Sequence, residues 1–181
     1  YWFEKLARIP VEVDIASEFR YREPPISPGT MALFISQSGE TADTLAALRY
    51  CRDKADHIVS VTNVAQSSIA RESDLTLPIY AGVEIGVAST KAFTRQLTVL
   101  LIIALSAARQ RRVLNTEDCK RLFTDLQALP SVFNTAMAIT SQITRIASEV
   151  AKARDVLFLG RDVMYPLALE GALKLKEISY I

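Results

Sequence analysis

The stretch that most constrains how this chain can fold is Met31 to Thr44, MALFISQSGETADT. Met31 to Ile35 is an unbroken apolar run rich in strand-favouring residues, as expected of a strand buried on both faces of a parallel sheet. It stops at Ser36-Gln37-Ser38-Gly39-Glu40-Thr41, and helix-favouring residues follow from Ala42 to Leu48. A strand, a hydroxyl-rich loop with one glycine and a helix start, in that order, make an anion site. The first N–H groups of a helix lack intrahelical partners, and the macrodipole places partial positive charge there. Ser36, Ser38 and Thr41 add hydroxyls that can donate to phosphate oxygens. The loop carries no lysine and no GxxxxGK[ST] pattern, so a nucleotide P-loop is not indicated. Two readings stay open from these residues: a pocket for a small phosphate ester, or a helix whose N-terminus is simply capped by Ser38.

The flanking pattern supplies the fold class. Tyr1 to Leu6 looks like the end of a helix, and Val11 to Ala16 (VEVDIA) alternates as a strand near a sheet edge would. Arg20 to Thr30, with three prolines and Gly29, reads as a connection. A helix is expected from about Glu40 to Lys54, its acidic first turn and basic last turn matching the dipole. His57 to Thr62 reads as a strand, Asn63 to Ser68 as a turn, Ile69 to Glu72 as a short helix and Leu75 to Tyr80 as a third strand. Ala81 to Ser89 is a loop, and Ser89 or Thr90 is placed to cap a long helix to about Arg112. This order describes an α/β protein with a doubly wound parallel sheet, whose ligand belongs at the carboxyl ends of the strands. Asn115 to Ala153 reads as a helical pair interrupted at Leu129-Pro130-Ser131, with Ser131 capping the second helix. Asp155 to Gly160 (DVLFLG) then reads as a new buried strand, followed by a helix from Pro166. The expected organisation is a first unit over 1–112 lacking its first strand, a helical connection over 113–153, and the start of a second unit over 154–181.

Composition narrows the function. Half of the 181 residues are hydrophobic and the net charge is +1, so there is core material but no basic footprint for nucleic acid. The longest apolar run, Leu97 to Ala108, falls well short of the ~20 residues of a membrane span and reads as a buried core helix. Cys51 and Cys119 belong to no CxxC, which fits a reduced, cytoplasmic protein with no zinc or disulfide framework. The chain does not begin with Met, no signal peptide is visible, and both ends look cut, as in a piece of a longer protein.

The last helix carries a second constellation. At ~100° per residue, Glu170, Lys174 and Glu177 fall within an arc of roughly 60°. Leu169, Leu173 and Tyr180 flank this strip on one side, and Leu167, Gly171, Leu175 and Ile178 on the other. Two carboxylates around one ammonium between apolar flanks can shift pKa values and support proton transfer. The same spacing also describes a surface salt-bridge ladder worth a few tenths of a kcal/mol per pair. Elsewhere, His57 reads as a surface residue. Lys91, in a first helical turn, reads as a solvated lysine or a sign of a nearby anion, and Glu84 as a ligand contact or a turn residue.

Four strings together carry a family likeness: SQSGETADT (36–44), NVAQSSIARESD (63–74), AGVEIGVASTKAFTRQL (81–97) and ALEGALKLKEISYI (168–181). They resemble the isomerase domain of the glutamine–fructose-6-phosphate aminotransferases, the glucosamine-6-phosphate synthases, over essentially the whole chain. SxSGET alone marks only the broader sugar isomerase (SIS) fold; the last two strings are far more specific. The resemblance implies two tandem SIS units, each a five-stranded parallel sheet between helices. It implies that Ser36, Gln37, Ser38 and Thr41 bind the sugar phosphate, fructose 6-phosphate or glucosamine 6-phosphate, while Val87 and Ser89 close over the sugar. It matches Glu177 to the family's general base, moving a proton between C1 and C2 of the open-chain sugar, and Lys174 and Glu170 to assisting residues. No cofactor, metal or nucleotide is implied. The expected partners are a glutaminase domain of the same parent chain and a second copy in a homodimer. The family's glutaminase, the first phosphate loop, the ring-opening His and the C-terminal Schiff-base Lys are missing from this stretch, which is therefore expected not to make product alone. The alternatives are a non-catalytic SIS module sensing a sugar phosphate, or an SIS deglycase or amino-sugar isomerase without glutaminase.

Overall fold

The computed structural model describes residues 1–86 and 88–179. A short helical turn, Phe3–Ala7, precedes α1 (Ala16–Arg22), β1 (Met31–Ser36), α2 (Ala42–Cys51), β2 (His57–Thr62), α3 (Ser68–Glu72) and β3 (Leu75–Pro78). Four helices follow: α4 (Thr90–Gln110), α5 (Thr116–Met137), α6 (Thr140–Val150) and α7 (Met164–Ser179). Among the described residues the sheet has three parallel strands in the order β1-β2-β3, fewer than the five that the family resemblance implies.

The two-residue period of the strands divides the core between the faces. On one face Phe34 and Ile58 pack with Ala47, Leu48 and Cys51 of α2 and Ile69 of α3, and Phe19 and Tyr50 close this layer with edge-to-face rings. On the other, Val61, Leu33 and Leu77 meet Ala92, Val99, Leu100 and Ile103 of α4. By length and composition alone α4 could cross a membrane. Here its apolar stripe lies on the sheet, and Ala104, Leu105 and Ala108 are fully buried.

Four expectations are corrected. Strand β1 is not buried on both faces: it is an edge strand, and Met31 and Ile35 are each 43% exposed on the face opposite Phe34. Val11 to Ile15 forms no strand. Glu12 and Asp14 instead pair with Arg22, and Ile15 is the N-cap of α1. The Leu129-Pro130-Ser131 break is absent, because α5 runs through Pro130, and α6 starts at Thr140 without a cap from Ser131. On this exposed surface water can satisfy the carbonyl that a proline leaves unpaired. Finally, Asp155 to Gly160 joins no sheet, and Leu157 and Leu159 are 85% and 88% exposed. A strand requires a neighbouring backbone to pair its N–H and C=O groups, and among the described residues none pairs with this segment. Phe158 is the exception in this segment, since its ring packs over Gly171 of α7.

Candidate functional site

The loop after β1 is braced by its own hydroxyls. Ser36 is buried; its Oγ accepts the Gly39 N–H at 3.0 Å and lies 3.0 Å from Thr41 Oγ1. Ser38 Oγ accepts the Glu40 N–H at 3.2 Å, so Ser38 does not cap α2. The N-cap of α2 is Thr41, whose hydroxyl is turned to Ser36, and among the described residues no side chain caps that helix. The first N–H groups of α2 are therefore open to an anion, with the exposed Ser38 and Thr41 beside them.

Two braces hidden in the sequence hold this loop. Gly39 has a left-handed backbone (φ +68°), and a Cβ there would lie 2.0 Å from Ser67 Oγ, so only glycine fits. Its carbonyl accepts the Ile69 N–H at 3.0 Å. Glu40, expected to complement the dipole of α2, reaches across to α3, and its Oε1 accepts the Ser68 N–H at 2.7 Å. The bond from the Ser68 backbone, then that from its hydroxyl, holds the Glu40 carboxyl below the usual carboxylate range, with help from Arg71. A glutamate followed 28 residues later by a serine-rich turn is no sequence motif, which is why this contact is invisible beforehand.

The loop after β3 has its own anchors. The Glu84 carboxylate accepts the Ala92 N–H at 3.2 Å, in the first turn of α4. Lys91 is exposed, as expected of a solvated lysine, and its Nζ also donates to the Val83 carbonyl, tying the loop. Ser89 occupies the N-cap position, but with a left-handed φ of 49° and no cap bond from its hydroxyl, which corrects the expected cap. Left-handed backbone is uncommon for a non-glycine residue and frequent at ligand-binding loops. Val87 lies outside the described residues. His57 is exposed, as expected of a surface residue.

The charged strip of α7 is assembled as its spacing predicts. Lys174 Nζ sits 3.3 Å from Glu170 Oε1 and 3.1 Å from Glu177 Oε2, with only 25–34% of each side chain exposed. Burial works to lower the Lys174 ammonium, but its bonds to Glu177 and Glu170 outweigh it and hold the group above its ordinary value. Glu170 and Lys174 line a cleft of about 310 Å³, walled by Leu167 and Gly171 and, across it, by Thr90, Phe93 and Thr94 of α4. Glu170 and Lys174 thus face the same end of α4 as Ser89. Among the described residues, no three His, Cys, Asp or Glu side chains converge as metal ligands would.

A parallel sheet with an uncapped helix start behind its first strand, and a bridged carboxylate–lysine strip beyond, is the arrangement of an α/β domain with an anion-accepting loop. The SIS domain family model matches residues 1–106, and the chain belongs to that family. It is 60% identical over its whole length to a glutamine–fructose-6-phosphate aminotransferase (isomerizing) of Bradyrhizobium diazoefficiens and 58% identical to the one of Mesorhizobium japonicum. It spans 30% of the length of each of these curated relatives. Among solved structures it resembles the C-terminal domain of glucosamine-fructose-6-phosphate aminotransferase from Francisella tularensis, with a TM-score of 0.97 and 44% identity. That likeness covers 99% of this chain and 51% of the other.

Proposed function

We propose that this chain is the sugar-isomerising portion of a glutamine–fructose-6-phosphate aminotransferase, converting fructose 6-phosphate and glutamine to glucosamine 6-phosphate and glutamate. The observation that carries this reading is the Glu170–Lys174–Glu177 strip, in which Lys174 bridges both carboxylates and Glu170 and Lys174 are set against the start of α4. The identity to aminotransferases over the full chain supports it. The phosphate binds at the N-terminus of α2 through Ser36, Gln37, Ser38 and Thr41, and Ser89 and Val87 lie over the sugar. The Glu177 carboxylate takes the proton from C1 of the open-chain adduct. The C1–H electron pair becomes a C1–C2 double bond as the C2 substituent takes up a proton; the C1 hydroxyl then gives up its proton to form the aldehyde, and the carboxyl returns the first proton to C2. Lys174, kept protonated by both carboxylates, steadies the charge on the substrate heteroatoms.

In this reading residues 1–112 form the first SIS unit, 113–153 the connection and 154–181 the start of a second. The partners are a glutaminase domain of the same parent chain and a second copy of the protein, in the cytoplasm. The test uses full-length parent protein. Glu177→Gln should leave glutamine hydrolysis intact and lower sugar isomerisation by about 10²–10⁴-fold, the usual contribution of a positioned general base. Normal product formation by that variant would refute the assignment.

A further inference from the structure

We infer that Asn63 is a positioning residue that fastens the loop after β3 to the phosphate loop after β1, and so sets the grip on the two ends of a bound sugar phosphate. This inference rests on the sugar-phosphate reading above. Asn63 is the first residue beyond β2, the middle strand. Its backbone N–H donates to the Gln37 carbonyl at 3.1 Å, inside the phosphate loop. Its side chain serves the other loop: Oδ1 accepts the Ala81 N–H and Nδ2 donates to the Gly82 carbonyl, both at 2.7 Å.

The need for an amide here follows from where the sheet ends. Thr62 pairs with Pro78, and the last bond in this direction is the Ile79 N–H to the Thr62 carbonyl at 2.9 Å. Tyr80 and Gly82 then both take left-handed backbone, φ 50° and 67°, and the chain leaves the sheet. The Asn63 side chain offers one donor and one acceptor in a plane, the same pair that a strand backbone would present. It therefore extends the β2–β3 pairing by one step past the proline. Beyond it, Val83 and Ile85 are exposed, and the loop is held to α4 by Lys91 on the Val83 carbonyl and by Glu84 on the Ala92 N–H, as Arg95 of α4 holds the Tyr80 carbonyl before it. Ser89 is carried between the Asn63 tie and α4. Loss of the tie detaches the sugar-facing loop from β2 and leaves it held by α4 alone, while the hydroxyls and α2 N-terminus of the phosphate loop keep their own braces.

The experiment compares full-length protein with its Asn63→Ala and Asn63→Asp variants, measuring the dissociation constant of fructose 6-phosphate and competition by inorganic phosphate. Removing the two side-chain bonds should weaken fructose 6-phosphate about tenfold and leave inorganic phosphate unchanged. Asn63→Asp keeps the acceptor for Ala81 and turns an oxygen toward the Gly82 carbonyl. It should show the same split, and it serves as the test if the alanine variant fails to fold. Equal affinities in wild type and Asn63→Asp overturn the proposal. So does a parallel loss of both ligands, which would make Asn63 a general structural residue. If wild-type protein itself fails to bind fructose 6-phosphate, the functional reading falls, and this inference with it.

Discussion

Glu40 and Ser68, 28 residues apart, are joined by a 2.7 Å hydrogen bond from the Ser68 backbone to the Glu40 carboxylate. The bond ties the loop after β1 to the start of α3, and its pH dependence follows from its sign. The folded-state pKa of Glu40 is lowered, chiefly by the Ser68 N–H. Its stabilisation is therefore complete above the ordinary carboxylate range and lost as pH falls through the lowered value. In an NMR titration the Ser68 amide should be flat through neutral pH and move only on the acid side of a normal glutamate. In Glu40→Gln that step should vanish. A Ser68 midpoint at or above the ordinary glutamate value would contradict the tie.

Gly39→Ala meets two obstacles at once, the left-handed backbone and Ser67 Oγ at 2.0 Å from the new Cβ. Left-handed backbone alone costs about 1–2 kcal/mol for a non-glycine residue. Thermal denaturation should show at least that loss. Adding Ser67→Gly removes the collision but not the strain, so the double variant should recover only part of the stability.

Lys174 gives a prediction on the alkaline side. Burial lowers its pKa, the bonds to Glu177 and Glu170 raise it further, and the net shift is upward. Its charged form, and the stability it lends, are thus fully present below the ordinary lysine value and lost as pH rises through the raised one. In full-length protein, Glu170→Gln should shift the alkaline limb of the sugar-isomerising rate to lower pH. Glutamine hydrolysis should keep its own profile. An unchanged limb would mean that Lys174 does not act in the reaction.

Pro130 lies inside an unbroken α5, where it forfeits one backbone donor. Pro130→Ala should restore that bond and raise stability by about 1–3 kcal/mol, read as a higher denaturation midpoint. A fall in the midpoint would indicate that the proline ring makes packing contacts that outweigh the missing bond.

What was legible in the sequence is what is local. Met31 to Thr44 announces a strand, an anion loop and a helix within one short segment, and the α7 strip follows from helical periodicity alone. What escaped depends on residues far apart in the chain. Asn63 looks like any turn residue until β1 and β3 bring Gln37 and Ala81 to it. Apolar runs mislead for the same reason: DVLFLG has strand composition, but pairing is a property of a neighbour, not of the segment. Ser89 does sit at the expected helix end, yet its backbone is left-handed rather than the extended form usual for an N-cap, and the bond into that first turn comes from Glu84.

The strand register has a consequence for the order in which the parts can form. Met31 pairs with His57 and Val59 with Leu75, so every ladder in the sheet closes over a short span of chain. Short closures cost little entropy and form early. The sheet and both of its helical faces, residues 31–110, can thus assemble before α7 has left the ribosome.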